Sequence, residues 1–133
     1  MNLTVSYLSA LTVFLAVDAV WIRTVMRPIF ERHIGAFLLD APRLEVAAGF
    51  YAAYVAAVLY FAVSPGLAAG SGRLALLNGV LLGFVAYGTY EATNLATLKG
   101  WTYGMLAVDI GWGMFLTGIT AVTGFFAYRW ISG

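Results

Sequence analysis

The sequence predicts an all-α membrane protein, with four transmembrane helices in a compact bundle and a short interfacial helix in the first loop. Three observations carry that prediction. The 133 residues are 62% hydrophobic and 10% charged, with a mean hydropathy of +0.90. Soluble domains are about half apolar and about a quarter charged. The charges are also grouped, and between the groups lie four apolar runs near the ~20 residues a helix needs to cross the hydrocarbon core. Strand alternation is missing, which argues against a transmembrane barrel. The length leaves room for one domain, residues 1–133.

The first helix is expected near 3–23. Met1–Val17 carries no charged side chain, and the apolar run resumes after Asp18 as far as Ile22. No Lys or Arg precedes it and it is long for a signal peptide, so it reads as a retained span. The first connection, Arg23–Leu44, is the longest. Pro28 suits the first position of a helix. Ile29, Phe30, Ile34, Phe37 and Leu38 form an apolar stripe apart from Glu31, Arg32 and His33. That pattern predicts an interfacial helix near 28–39, stopped by Asp40-Ala41-Pro42. The second helix is expected near 45–64, where Val46–Ser64 is uncharged, and Pro65–Arg73 reads as a Gly/Ser turn. The third is expected near 74–98, interrupted by Glu91, and Lys99–Tyr103 is a tight connection. The fourth is expected near 104–130.

The basic residues orient the chain. The first and third connections hold Arg23, Arg27, Arg32, Arg43 and Lys99, against Arg73 and Arg129 on the other side. The positive-inside rule places the first and third loops in the cytoplasm and both termini outside. Trp21, Trp101 and Tyr103 fall at one predicted interface and Trp130 at the other.

Several function classes drop out. A net charge of +1 offers no basic face for nucleic acid. Cysteine is absent, which removes disulfides and thiol catalysis. There is no GxSxG, P-loop or HExxH motif. No span holds a histidine for heme, and His33 lacks the Glu-x-x-His spacing of di-iron bundles. It reads as a surface loop residue. A hard cation on Asp18, Glu91 and Asp109 is specified by no ligand spacing. No metal and no cofactor is expected.

The informative residues are the acids inside the spans, Asp18, Glu91 and Asp109. A charge at the middle of a membrane helix costs about 2.5 kcal/mol or more, so each needs a reason. All three fall in the half of the membrane near the first and third loops. Their helical faces also agree. On the third span Gly79, Gly83, Tyr87, Tyr90, Glu91 and Asn94 share a side, on the fourth Met105, Asp109, Trp112 and Gly113, and on the first Tyr7, Phe14, Asp18 and Trp21. Tyr51 and Tyr54 lie toward the same end of the second. Turned inward, these faces make a pocket lined by Trp21, Tyr51, Tyr54, Tyr87, Tyr90 and Trp112. Asp18, Glu91, Asp109 and Asn94 would be its ligand-binding or proton-carrying groups. A structural alternative pairs Asp18 with Arg23 or Arg27 and Asp109 with Lys99, and bonds Asn94 to Asp109 or Tyr87. Convergence of three acids favours the functional reading.

Gly79-Val80-Leu81-Leu82-Gly83 is a GxxxG match. Gly49, Ala53 and Ala57 repeat the small-residue spacing, as do Gly113, Thr117 and Ala121. Close packing within the chain is favoured over a homodimer seam.

Asp18-Ala19-Val20-Trp21, Phe50-Tyr51-Ala52-Ala53-Tyr54, the run Tyr87–Thr97, and Trp101 followed by Asp109-Ile110-Gly111-Trp112-Gly113 carry a resemblance over essentially the whole chain. It is similar to the domain of unknown function 2177 family of small bacterial inner-membrane proteins. The family pattern commonly has Asp where Glu91 stands, a departure of one methylene that alters any fixed carboxylate geometry. The resemblance implies four spans and a bacterial inner membrane, without an established activity. It also implies genomic proximity to lipid-modifying and flavin-dependent enzymes, an association that names no reaction.

The expected function is binding, or proton-coupled transport, of a small cationic or amphiphilic molecule, and the chain leans away from being an enzyme. One alternative is an enzyme or accessory factor in membrane-lipid modification. Another is a scaffold whose loop at 28–39 docks a partner. The partners to expect are the lipid bilayer, a small amphiphilic ligand or lipid, and a second copy in a homodimer.

Overall fold

A computed structural model describes residues 2–37 and 43–132. Four helices are long and apolar enough to cross a membrane: α1 (Asn2–Ile34), α2 (Leu44–Ala69), α3 (Gly72–Thr97) and α4 (Tyr103–Ser132). No strand occurs among the described residues. Leu8, Leu81, Phe84, Phe115 and Phe126 project outward and exposed. An apolar exterior of this kind is what a helix presents to lipid.

Two of the helices run further than their sequences suggest, for one reason. Proline lacks an N–H, and its ring crowds the carbonyl four residues back. For Pro28 that residue is Thr24, and for Pro65 it is Phe61. Both lie in π turns, Ile22–Met26 and Leu59–Val63, each ending two residues before its proline. The wider turn moves the crowded carbonyl aside, so the helix passes the proline unbroken. The freed Phe61 carbonyl accepts a hydrogen bond from Asn78 Nδ2 on α3 at 3.2 Å.

Arg27–Ile34 therefore continues α1 rather than forming a separate interfacial helix, and a 3-10 turn follows at Gly35–Phe37. The expected stop at Asp40-Ala41-Pro42, with Leu38 of the apolar stripe, lies outside the described residues. Helix α2 likewise continues past Pro65 to Ala69. Gly70 ends it with φ +65°, a left-handed conformation that glycine adopts without steric cost. The expected turn at 65–73 thus shrinks to Gly70 and Ser71, whose hydroxyl caps α3 by accepting from the Leu74 N–H at 3.1 Å.

Helix α4 is the centre of the bundle. Of its most apolar stretch 44% is buried, against 22% in each other helix. Its tightest contact is with α3. A Cβ on Gly83 would collide with the Gly113 carbonyl, and one on Gly113 with the Tyr87 ring. A Cβ on Gly79 would sit 2.8 Å from Ala121 Cβ and 2.9 Å from the Thr117 carbonyl oxygen. The GxxxG stripe is thus used within the chain, where small residues let two backbones approach. Helix α1 meets α4 through the buried Ser6 hydroxyl, which donates to the Gly124 carbonyl at 2.7 Å. Tyr54 joins α2 to α4 through a 2.8 Å hydroxyl bond with Thr117. The core between them holds Ala10, Phe14, Val55 and Leu116, and a second cluster gathers Val58, Val63, Ala121 and Phe125.

The first and third connections lie at one end. Gly100, at φ +84°, approaches the His33 carbonyl so closely that a Cβ there would lie 2.8 Å from it. At the other end Asn2 Nδ2 donates to the Ser132 hydroxyl at 2.7 Å, joining the beginning of α1 to the end of α4.

The glycines separate into two kinds, which substitution distinguishes. Gly83→Val forces α3 and α4 apart and is expected to cost about 1–3 kcal/mol, as overpacking does. Gly49 has open space where a Cβ would go. Gly49→Ala is expected to be neutral, or to stabilise by up to about 1 kcal/mol through helix propensity. Unfolding in detergent, followed by circular dichroism, measures both.

Candidate functional site

At the end carrying the first and third connections the helices enclose a cavity of about 890 Å³. That lies within the roughly 300–1,000 Å³ range of small-molecule sites. Each helix supplies a share for a local reason. On α1, Asp18, Ile22, Met26 and Phe30 all face it, at intervals of four. In a regular α-helix each such step would swing about 40° out of line. The π turn at Ile22–Met26 takes up that drift. Helix α2 contributes Val46, Ala47, Phe50, Tyr51 and Tyr54, helix α3 Ala86, Tyr87 and Tyr90, and helix α4 a single residue, Asp109.

The polar groups are layered. Asp18 and Asp109 are 4% and 7% exposed. The Trp112 indole N–H donates to Asp18 Oδ1 at 3.2 Å. The Trp112 ring stacks flat on Trp21, with centroids 4.2 Å apart and planes 3° apart. Trp112 therefore stands behind the wall, holding Asp18 and Trp21 in place. Tyr51 packs edge-on against the buried Phe14, and Tyr87 sits edge-on to Tyr54. Arg27 and Arg43 complete the lining. The Arg27 side chain is 48% exposed, and its Nε donates to Glu31 at 2.9 Å.

Glu91 stands apart from the cavity. It is fully buried, and Trp101 from the third connection donates its indole N–H to Oε1 at 2.7 Å. Its other oxygen, Oε2, accepts from no N–H or O–H group. The Asp109 carboxyl lies against it across the α3–α4 contact. The Trp101 ring is held by Phe30 and Tyr90, at centroid distances of 5.3 Å and 6.0 Å. Trp101 is thus turned inward as the cover of Glu91 rather than outward as an interfacial anchor. Asn94 is half-buried beside Tyr90 and does not reach the cavity.

Of the residues expected at the pocket, Asp18, Trp21, Tyr51, Tyr54, Tyr87, Tyr90 and Asp109 line one space. Glu91, Asn94 and Trp112 lie outside its lining. No ion pair joins Asp18 or Asp109 to a basic residue among the described residues, where Arg27–Glu31 is the pair formed. Nor do three of His, Cys, Asp and Glu gather closely enough among those residues to hold a metal ion. The sequence reading missed Met26, Phe30, Phe50, Arg27 and Arg43 as lining. For Met26 and Phe30 the signal was the four-residue spacing from Asp18, hidden because the first helix was expected to end near 23 and a new one to begin at Pro28. The arginines had been counted only as topology charges.

The Trp101–Glu91 bond supplies a direct test. Trp101→Phe leaves both carboxyl oxygens without an N–H donor and is expected to destabilise by about 1–3 kcal/mol. Adding Glu91→Leu to that variant is expected to recover part of the loss, because the buried acceptor is gone as well. A double-mutant cycle of detergent unfolding reads the coupling.

The comparison with known families agrees with this architecture. The family model described as predicted membrane protein, DUF2177, matches residues 3–126. No curated protein and no solved structure matches the chain. The matched stretch runs from the first turn of α1 into the last turns of α4 and so takes in every cavity-lining residue. The chain belongs to the DUF2177 family of predicted membrane proteins.

Proposed function

We propose that the protein resides in the bacterial inner membrane with its first and third connections in the cytoplasm. There it binds a small cationic or amphiphilic molecule in the cavity, with proton-coupled movement of that molecule. The observation that carries the reading is a pair of nearly buried carboxyls, Asp18 and Asp109, in a chamber whose other walls are mostly apolar and aromatic. Acids at membrane depth mark ligand or ion pathways more often than they serve as ballast. Trp21 and the tyrosines add π faces suited to a cation. Proton coupling would use the carboxyls that meet the ligand, since acids at membrane depth serve as proton relays in pumps and transporters. Arg23, Arg27, Arg32, Arg43 and Lys99 at this end support the cytoplasmic assignment.

A second reading, a role in membrane-lipid modification, is favoured by the exposed flank of the cavity. Val46 and Phe50 are 63% and 66% exposed, so the chamber is accessible from the side. Lipid profiling of a deletion strain separates the two: a changed lipidome supports the second and an unchanged one the first.

The binding reading is tested with tetraphenylphosphonium, a lipophilic cation, on the purified protein. Saturable binding with proton release is expected, weakened at least about tenfold in an Asp18→Asn/Asp109→Asn variant, as the loss of a desolvated charge partner implies. Equal binding by both proteins would overturn it.

A further inference from the structure

The cavity has a charge layout that its use as a cation site leaves unexplained. Its two acids are deep and nearly buried, whereas its two arginines lie at the end nearest the connections. Arg27 projects from α1, and Arg43 immediately precedes α2. They approach the chamber from the two sides of the first connection. A bare cation entering past them would meet repulsion. An anion seated between them would not.

The wall between those arginines and the deep acids is apolar, and it is open. Helices α1 and α2 meet through Tyr7, Phe14, Tyr51 and Tyr54. Among the described residues, no hydrogen bond or aromatic pair joins 22–37 to 43–50. The extension of α1 leans the other way. Phe30 packs on Trp101, and His33 meets Gly100, so it rests on the third connection. This leaves the α1–α2 flank as a side opening, with Ile22, Val46 and Phe50 on it, all exposed. In a bilayer such an opening faces lipid tails, and arginines one or two turns beyond it lie near the headgroups.

We infer that the side opening between α1 and α2 admits a bilayer lipid with an anionic headgroup, whose phosphate sits between Arg27 and Arg43 and whose acyl chain enters the cavity. This rests on the cavity's being a ligand site and names the amphiphile it takes. The guanidinium fork suits a phosphate, because it donates parallel hydrogen bonds, and on Arg27, whose Nε donates to Glu31, the two terminal nitrogens would make them. Charge complementarity and the apolar path act on the two ends of the same molecule. A soluble phosphate compound would match only the first.

The test is native mass spectrometry of the purified protein, reconstituted with equal amounts of phosphatidylglycerol and phosphatidylcholine of the same chain length. Retention of one phosphatidylglycerol in preference to phosphatidylcholine is expected. Arg27→Gln/Arg43→Gln is expected to reduce that preference roughly tenfold or more, and Arg27→Lys/Arg43→Lys to restore part of it. Arg23→Gln/Arg32→Gln, altering basic residues of the same end that do not line the cavity, is expected to leave it unchanged. Circular dichroism of each variant checks the fold. The inference is overturned by no preference in the unaltered protein, or by a preference that survives loss of Arg27 and Arg43. Equal loss on altering Arg23 and Arg32 would show diffuse attraction instead. Displacement of the lipid by millimolar glycerol phosphate would identify a soluble anion as the occupant. If lipid preference is absent while tetraphenylphosphonium binding still depends on Asp18 and Asp109, the cavity binds ligand but not this one.

Discussion

The close approach of α3 and α4 determines what the rest of this bundle does. Gly83 and Gly113 allow the two backbones to touch, and no side chain at either position fits. Two consequences follow at the end with the connections. The Tyr87 ring is brought against Gly113, and the Glu91 carboxyl, one turn further along α3, is brought near Asp109. A wider spacing would admit other side chains between these carboxyls. Membrane helices lack the hydrophobic drive that assembles soluble cores, so such small-residue contacts carry much of the association.

With α3 and α4 locked together, the cavity arises from what the remaining two helices leave unfilled. Helix α1 is anchored on α4 by Ser6 and Gly124, and α2 by Tyr54 and Thr117. Those anchors belong to the middle and far parts of the bundle. Toward the connections α1 follows the third connection instead, and α2 keeps its first turns exposed. The result combines a rigid half and an open half in one small fold. Binding sites commonly need both, since a rigid wall holds the polar groups while an opening lets a ligand in.

Most of the architecture was legible because length and hydropathy report directly on membrane crossing. The inward faces of α3 and α4 were legible too, since Gly79, Gly83, Met105, Asp109 and Gly113 sit at helical spacing and are all buried. What the pattern could not supply was the effect of proline. Pro28 and Pro65 read as boundaries, yet a π turn ahead of each carries the helix through. Propensity is local, whereas the accommodation draws on tertiary partners such as Asn78. Ending the first helix near 23 left Met26 and Arg27 in a connection with no defined face, and opening a separate helix at Pro28 gave Phe30 to the membrane interface instead of the site. Trp101 was legible as aromatic and near an interface, but its inward turn depends on Gly100 and on the end of α1 packed against it. Glu91 and Asp109 were placed on the right faces, whereas their division into an enclosed carboxyl and a cavity-facing one follows from side-chain direction alone.

The π turn in α1 does more than pass a proline. It holds one residue more than an α-helical turn would, so everything beyond it is rotated by about 100° relative to a regular helix. Asp18 and Phe30 face the same chamber because of that single extra residue. The segment from Ile22 to Met26 therefore works as a phase setting between the membrane half of α1 and its projecting end. Losing one residue there would leave composition, charge and hydropathy almost untouched. It would also turn Arg27 and Phe30 away from the cavity and lift Phe30 from Trp101. Residue count over that turn, more than side-chain identity, is what relatives with the same site would have to preserve.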